Sequence, residues 1–577
     1  MVKDLVTETN TFEVLESVAK QRWEDLNSGS KPWIRIGTAL CGEAAGSKNL
    51  LPRIQNILDA LKIDANVSEV GCLGLCFAEP LLDIQLPGEN RVFYRNVSED
   101  DLEPIITSHI KDSNVNSDLA FLYSGVDELS DVNRLESHPM KAKEQRIALR
   151  NAGNIDPYDI NQYIANGGYQ ALNKALSEMD SEAVLNEVKD SGLRGRGGAA
   201  FSTGIKWSFL ASNDAPDKYI LCNCEEGDPG AFNDKGILES DPHTVVEGVI
   251  LAGYATKSNY GYIFIRHGHD GPIERTKNAI KQAYEKGLLG DNILGSNFSF
   301  NMEVALTGDS YVAGEETALM EAIEGKRSMP RYRPPFPAQV GVFGKPTNIN
   351  NVKSLSYVPE IIRNGGQWFS DIGYEQSKGT AILCLSGSLK FTGMIEVPMG
   401  LNLKDVLYEV AGGVPGDRNL KLVQTGGPLG GVLNSENIDL VLDYETFRNA
   451  GAILGSGGII AADDRTCIVD LTRSLIAFCQ YESCGKCFPC RMGMSHLLEV
   501  LERICDLQGT EEDLDLMRNI GENMQAGSLC GHGQLGFNPV ASAIKYFPEE
   551  FNQHIIGHTC LTKVCNNKRF SPTRTRR

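Results

Sequence analysis

Glu482-Ser483-Cys484-Gly485-Lys486-Cys487-Phe488-Pro489-Cys490-Arg491 sets three cysteines two residues apart, and Cys530 follows forty residues after the last of them. Three thiolates at that spacing wrap one face of a cubane and a distant fourth closes it, which is the ligand arithmetic of a [4Fe–4S] cluster. Zinc sites more often use two C-x2-C pairs. Gly485 and Lys486, with Arg491 beyond, bring small size and positive charge to an anionic cluster. The sequence around the motif has helical periodicity, with Leu497, Leu498, Val500, Leu501 and Ile504 on one stripe. Seven of the fifteen cysteines lie from Cys467 to Cys530, so metal chemistry is expected to concentrate in a helical domain over 451–550.

Upstream, the chain divides by pattern. A helical stretch (Phe12, Leu15, Val18, Trp23, Leu26) ends at Asn27-Ser28-Gly29-Ser30, and strand Ile34-Arg35-Ile36, a helix over 49–61 and Pro80-Leu81-Leu82-Asp83-Ile84 follow. This alternation predicts a small α/β module over 1–112, and the polar stretch after it reads as a linker over 113–145. Residues 146–370 are glycine-rich α/β sequence, with Tyr219-Ile220-Leu221-Cys222 and Tyr262-Ile263-Phe264-Ile265 as buried strands. Short strands around one helix (403–411) predict a strand-rich insert over 371–450, and a tail over 551–577 ends the chain.

Three further segments carry chemistry. Gly192-Leu193-Arg194-Gly195-Arg196-Gly197-Gly198-Ala199-Ala200-Phe201 leads to Lys206. Glycines let backbone N–H groups approach a phosphate or flavin, although the spacing is not the G-x-G-x-x-G of a Rossmann loop, and a plain tight turn is the alternative. Asn223-Cys224-Glu225-Glu226-Gly227-Asp228-Pro229-Gly230 follows a predicted strand, where carboxylates suit ribose hydroxyls or form a solvated loop. Tyr311-Val312-Ala313-Gly314-Glu315-Glu316 leads to Arg331-Tyr332-Arg333-Pro334-Pro335-Phe336 and then to Asn348-Ile349-Asn350-Asn351.

With 577 residues, 41% hydrophobic and 23% charged, the chain has enough apolar sequence for several cores. A formal charge of -20 disfavours nucleic acid and anionic membrane and suits docking onto partner proteins. No apolar run of transmembrane length and no leader is readable, so the expected location is the cytoplasm, where clustered cysteines point to metal more than to disulfides.

These motifs, in this order from Arg146 to Cys565, closely resemble the complex I 51 kDa-like family: the flavin-containing NADH-oxidising subunit of respiratory complex I and its relatives in [FeFe]-hydrogenases, formate dehydrogenases and electron-bifurcating complexes. The resemblance implies an α/β multidomain chain. Its parts would be a thioredoxin-like N-terminal module, a Rossmann-like FMN and NADH domain, a β-grasp (soluble-ligand-binding) insert, and a C-terminal helical bundle carrying the [4Fe–4S] cluster. Carried over by motif, FMN contacts fall on Gly195, Gly197, Gly198, Lys206, Asn223, Glu225, Glu226, Gly314, Asn350, Asn351 and Ser354. NADH contacts fall on Phe201, Asp228 and Glu316, with Arg333 and Phe336 as further candidates and Glu315 beside them. Glu226, Glu316 and Lys206 take the catalytic roles, and Cys484, Cys487, Cys490 and Cys530 hold the cluster. Ser202 stands where proline is usual, and Gly227-Asp228 and Arg146-Ile147-Ala148-Leu149 look more like the soluble branch.

The resemblance extends to two further metal sets. Cys467, His554, Cys560 and Cys565 match a zinc site, with His558 as an alternative ligand and incidental cysteines near a chain end as the bland reading. Cys41, Cys72 and Cys76 match an incomplete thioredoxin-like [2Fe–2S] set, with Ile36 where a fourth cysteine is expected; such a site holds no cluster or recruits an unusual ligand. The implied function is hydride transfer from NADH to FMN, then single-electron passage through [4Fe–4S] to partner iron–sulfur subunits of a soluble multi-subunit, electron-bifurcating type of complex. NAD(H) is favoured over NADP(H), since no arginine is assignable to a 2′-phosphate. The alternatives are an input subunit of a benzoyl-CoA-reductase-type complex and a structural relay without nucleotide turnover.

Overall fold

The computed structural model describes residues 11–565 and is a mixed α/β chain with several sheets. The first sheet contains β1 (Trp33–Gly37), β2 (Asn66–Val70), β3 (Leu82–Gln85), β4 (Arg91–Tyr94), β5 (Ala120–Ser124) and β6 (Asn133–Arg134), in the order β2-β1-β3-β4-β5-β6. β1 runs parallel to β2 and antiparallel to β3, and β4 is antiparallel to β3. Ile34, Ile36, Leu82, Ile84 and Val92 pack against the helices Ser47–Leu61 and Glu99–Ile106. β5 and β6 correct the expectation of a linker over 113–145. The apolar run Ala120-Phe121-Leu122-Tyr123 extends the sheet by pairing with β4, and Leu122 and Tyr123 are buried.

The second sheet is parallel: β7 (Tyr219–Cys224), β8 (Tyr260–Arg266), β9 (Asn301–Thr307) and β10 (Thr347–Asn351), in the order β10-β7-β8-β9. Ile220, Leu221, Cys222, Ile263, Phe264 and Ile265 are buried on both faces, as continuous apolar runs in a covered parallel sheet should be. The chain winds from β7 to β8 and β9 on one side and returns to β10 on the other. The carboxyl ends of β7 and β10 therefore flank a topological switch point, where open parallel sheets bind ligands.

A ribbon, β11 (Gly373–Tyr374) and β12 (Ser377–Lys378), precedes a five-stranded sheet of β13 (Thr380–Gly387), β14 (Gly393–Pro398), β15 (Leu420–Thr425), β16 (Val432–Asn434) and β17 (Gly458–Asp463). Its order is β14-β13-β17-β15-β16, so β17, from beyond the expected insert boundary at 450, lies in the middle of it. Glu396 on β14 reaches back to the start of the glycine-rich region: its buried carboxylate accepts the N–H groups of Ile147 (2.9 Å), Ala148 (3.2 Å) and Leu149 (2.9 Å).

The helices Ile468–Tyr481, Phe488–Cys505, Glu512–Gly527 and Asn538–Tyr546 close the chain around Met494, Leu497, Leu501, Ile504 and Met517. Pro489 sits in the first turn of Phe488–Cys505, where its missing N–H costs nothing. Among the described residues no helix is long and apolar enough to cross a membrane.

Candidate flavin, nucleotide and metal centres

The glycine loop joins the helices Ser181–Asp190 and Thr203–Ala211 and is closed on itself by Gly195 N–H donating to Phe201 O (2.7 Å) and Thr203 N–H to Leu193 O (2.9 Å). It lies against the switch point. A Cβ on Gly197 would stand 3.0 Å from Asn351 Cβ, and Gly198, at φ +112°, faces only Gly455, whose atoms begin 3.9 Å from such a Cβ. A surface bare of Cβ atoms at the carboxyl end of a parallel sheet fits a flat ring system or a phosphate. Arg196 is not an anion ligand: its buried guanidinium donates to Thr380 O (3.1 Å) and Tyr444 OH (2.9 Å), and its N–H to Ser354 Oγ (2.9 Å). Ser354 therefore positions the loop.

The register of β10 against β7 sets Asn350 beside Cys222 and Asn351 beside Asn223. Asn350 accepts from Trp207 Nε1 (3.2 Å), Asn351 donates to Asp234 (2.6 Å), and Asn223 donates to Gly314 O (2.8 Å). The acidic turn is half-buried, with the Glu225 and Glu226 carboxylates covered and every carboxylate engaged, which overturns the reading of it as a solvated loop. Glu226 caps the helix Asn233–Ser240 by accepting the N–H groups of Asp234 and Lys235, each at 2.9 Å. Glu225 is held by Arg266 (2.8 Å), and Asp228 accepts from Gly230 N–H (2.9 Å) and Ser456 Oγ (3.2 Å), tying the turn to the loop before β17.

Burial pushes the Glu225 carboxyl up to about 8 and that of Glu226 up to about 7, from an ordinary 4.5. The folded chain thus keeps these protons at pH values where the unfolded chain has released them, so stability must fall as pH rises between those limits. The thermal midpoint of flavin-free protein is expected to drop from about pH 5 to about pH 8, with a shallower drop in Glu225→Gln. An equal slope in the variant would refute the assignment; differential scanning fluorimetry reads it.

Lys206 donates to Glu316 Oε2 (3.0 Å) and Arg333 to Glu316 Oε1 (2.8 Å). Burial alone would raise the Glu316 carboxyl, but the two cations outweigh it and hold the group below its usual range. Phe201 and Phe336 are 51% and 54% exposed; Phe201 precedes the helix that carries Lys206 and leans on Phe209, and Phe336 shares a loop with Arg333. Glu315 is turned inward, capping its own helix through Thr317 and Ala318 N–H (2.9 Å each).

Cys484, Cys487, Cys490 and Cys530 line one cavity with Val312, Pro330, Ser483, Lys486 and His532. No three of these thiols lie mutually within 4.8 Å, a width that suits a cubane more than one ion. Gly485, at φ +72°, turns the motif, and its carbonyl accepts from Arg491 (2.7 Å). Val312 lines the cavity two residues before Gly314, whose carbonyl Asn223 holds, so one short segment joins the switch point to the four cysteines.

Two other sets are tight. Cys467, His554, Cys560 and Cys565 lie within 4.8 Å of one another, with Cys467 Sγ 3.5 Å from His554 Nε2 and 3.6 Å from Cys565 Sγ. His554 Nδ1 bonds Glu550 O at 2.7 Å, whereas His558 bonds Leu507 O and lies outside the set. Cys41, Cys72 and Cys76 form the other set, within the same limit. Sequence reasoning missed Ser456, Asp234, Lys353 and Glu396, which fix the turn, the asparagines and the segment over 146–149; Glu396, isolated between Ile395 and Val397, carried a signal, and the other three sit among polar residues or glycines.

Residues 188–360 match the family model described as the Nuo51 FMN-binding domain, and residues 470–554 that of the NADH-ubiquinone oxidoreductase-F iron–sulfur binding region. Over 423 residues the chain is 45% identical to NADP-reducing hydrogenase subunit HndC of Solidesulfovibrio fructosivorans, covering 73% of this chain and 86% of that one. Over 414 residues it is 40% identical to an NADH-quinone oxidoreductase subunit of Rhizobium meliloti (72% and 98% covered). Among solved structures, the NAD+-reducing [NiFe]-hydrogenase in the H2-reduced state superposes with TM-score 0.64 at 25% identity, covering 94% of this chain and 90% of that one. Fold and site together define a flavoprotein oxidoreductase with an iron–sulfur centre. The chain belongs to the complex I 51 kDa-like family of FMN- and [4Fe–4S]-bearing NADH-oxidising subunits, found in complex I-like and hydrogenase assemblies.

Proposed function

We propose that the chain is the nucleotide-handling subunit of a multi-subunit complex and passes electrons between NAD(H) and partner iron–sulfur subunits, in an assembly of the electron-bifurcating type. The observation that carries this reading is the short segment Tyr311–Glu316, which borders both the switch point and the four-cysteine cavity. When bound, FMN accepts a hydride from nicotinamide and gives up electrons singly to the cluster, chemistry that belongs to the cofactors. The protein's part is placement. Gly195, Gly197 and Gly198 would let the flavin approach the backbone, and Asn223, Asn350 and Asn351 present fixed amides at the ends of β7 and β10. Lys206 would offer a cation to the flavin and Glu316 a carboxylate to the dinucleotide, while Phe201 and Phe336 offer rings to stack on. The arginines nearby are engaged with carboxylates, Arg266 with Glu225 and Asp309, Arg331 with Glu321 and Glu324, and Arg333 with Glu316, which supports NAD(H) over a 2′-phosphorylated nucleotide.

The same reading assigns the parts of the chain. The strand order β2-β1-β3-β4 supports a thioredoxin-like module, the parallel sheet a Rossmann-like flavin domain over 146–370, and the mixed sheet a β-grasp insert. Cys467, His554, Cys560 and Cys565 would hold structural zinc: three thiols and an imidazole make a closed tetrahedral set, and the Glu550 carbonyl fixes the imidazole's other nitrogen. Stopped-flow mixing of FMN-replete protein with NADH should bleach the flavin absorbance; absence of bleaching would sink the proposal. Lys206→Ala should weaken FMN binding about tenfold, the loss of one charge-assisted contact, as read by flavin fluorescence.

A further inference from the structure

We infer that Cys41, Cys72, Cys76 and the carboxylate of Glu79 form a four-ligand site for a single thiophilic divalent cation of the zinc class, in place of a [2Fe–2S] cluster. A binuclear cluster takes four thiolates, or imidazoles in their stead, two on each iron. Here the fourth position is Ile36, which is fully buried in the apolar core of β1 and offers no ligand. The chain supplies its own ruler for what the remaining thiols can hold. The four cysteines of the cubane-type cavity stand too far apart for any three to fall within 4.8 Å, whereas the Cys3His set does fall within it, and so do Cys41, Cys72 and Cys76. Cys41 Sγ is 3.3 Å from Cys72 Sγ, and Cys72 Sγ is 3.7 Å from Cys76 Sγ. Thiolates about 2.3 Å from one tetrahedral ion stand about 3.8 Å apart.

Glu79 is the fourth donor the inference requires: its carboxylate touches Cys41 but stands outside the 4.8 Å limit that gathers the three thiols, so a bound ion would draw it inward. It is 8% exposed and makes no ion pair among the described residues, an arrangement that leaves a buried carboxylate in want of a cation. One carboxylate oxygen lies 3.8 Å from Cys41 Sγ, and the other accepts Leu81 N–H at 2.8 Å. The carboxylate rests over Gly37, next to Ile36 in β1: a Cβ on Gly37 would stand 3.1 Å from both oxygens. The surroundings suit an anionic metal site. Gly74 N–H donates to Cys72 Sγ (3.2 Å), and Lys141 and Arg146, which also pair with Glu144, both donate to the Leu73 carbonyl between Cys72 and Cys76.

The site lies where the first sheet meets the flavin region: Gly71, next to Cys72, packs on Ser240, and Leu40 N–H, next to Cys41, donates to Glu239 (3.0 Å). A redox-inert ion there would fasten the helix carrying Cys41 and the Cys72–Cys76 loop to that junction and would carry no electrons. On the function proposed above, the [4Fe–4S] site is then the exit from this chain.

Zinc and iron per flavin, measured by mass spectrometry on the full chain in its complex, test this. Cys76→Ser should lose one zinc equivalent with iron unchanged, and Glu79→Gln should release that zinc to a chelator at least tenfold more readily. X-ray absorption at the zinc edge of His554→Ala, which isolates this site, should show three sulfur neighbours and one oxygen. Wild-type protein with no zinc beyond the His554-dependent equivalent would overturn the inference whether or not the variants fold. So would loss of iron and of a binuclear electron paramagnetic resonance signal in Cys76→Ser. Failure of the flavin reading would appear instead as absent bleaching with zinc intact.

Discussion

Lys353→Met should destabilise the folded chain by about 3–5 kcal/mol, the range for removing one partner of a buried ion pair, and should abolish flavin retention on gel filtration. Lys353 is 2% exposed, and its ammonium lies 2.7 Å from Asp234 Oδ1 and 2.7 Å from Asn233 Oδ1. Burial alone would lower its basicity, but Asp234 and Glu226 outweigh that and keep it charged. Without the ammonium, two buried carboxylates remain on one helix start, and among the described residues the side-chain hydrogen bond left to Asp234 is the one from the Asn351 amide. Asn233 also bonds Ile382 O (2.9 Å) and Ser456 O (2.8 Å), so the defect spreads to the contact between the parallel sheet and the five-stranded one. Urea unfolding and flavin fluorescence read the two effects separately. An unchanged midpoint with normal flavin content would show that the cluster around Asp234 does not support the glycine cradle.

Some of this was legible in the sequence because it is local. The C-x2-C-x2-C run fixes three thiols within one turn and the start of a helix, whatever surrounds it. Tyr219-Ile220-Leu221-Cys222 reads as a buried strand because an all-apolar run has no face to give to solvent. The glycine loop and the asparagines were likewise placed by their own residue types. What stayed hidden depends on partners far along the chain. Glu396 looks like a polar residue in a strand, yet its partners are 247–249 residues earlier. The acidic turn reads as solvated because nothing local announces that Glu226 will cap a helix or that Ser456 will meet Asp228. β5 is a short apolar run inside an otherwise polar stretch, and its place is set by backbone pairing with β4, a partner that nothing beside it in the sequence names. Glu79, close to a cysteine pair that lacks its fourth mate, becomes a candidate ligand only in the fold, where its carboxylate stands above Gly37.

Cys530→Ala separates the two halves of the proposed electron path. Cys484, Cys487 and Cys490 come from one turn and the first residues of a helix, whereas Cys530 comes from the start of the short helix Gly531–Gln534, so it alone ties the motif across the bundle. Three thiolates leave one iron of a cubane without a protein ligand, and the expected result is loss of the whole iron complement of that centre and of its electron paramagnetic resonance signal. Flavin content and NADH bleaching should survive, because Asn223, Asn351 and the glycine loop do not touch Cys530. Electron delivery to partner subunits should fall to the level of flavin-free protein, while a small acceptor that reacts at the flavin directly should still be reduced. If bleaching were lost as well, the segment Tyr311–Glu316 would be the reason to suspect, since Val312 borders the cysteines and the Gly314 carbonyl holds Asn223. That outcome would mean that the cluster shapes the flavin site as well as draining it. If partner reduction persisted at full rate, electrons would have to leave by a route that bypasses Cys530, and a redox-inert ion at Cys41, Cys72 and Cys76 would then be untenable.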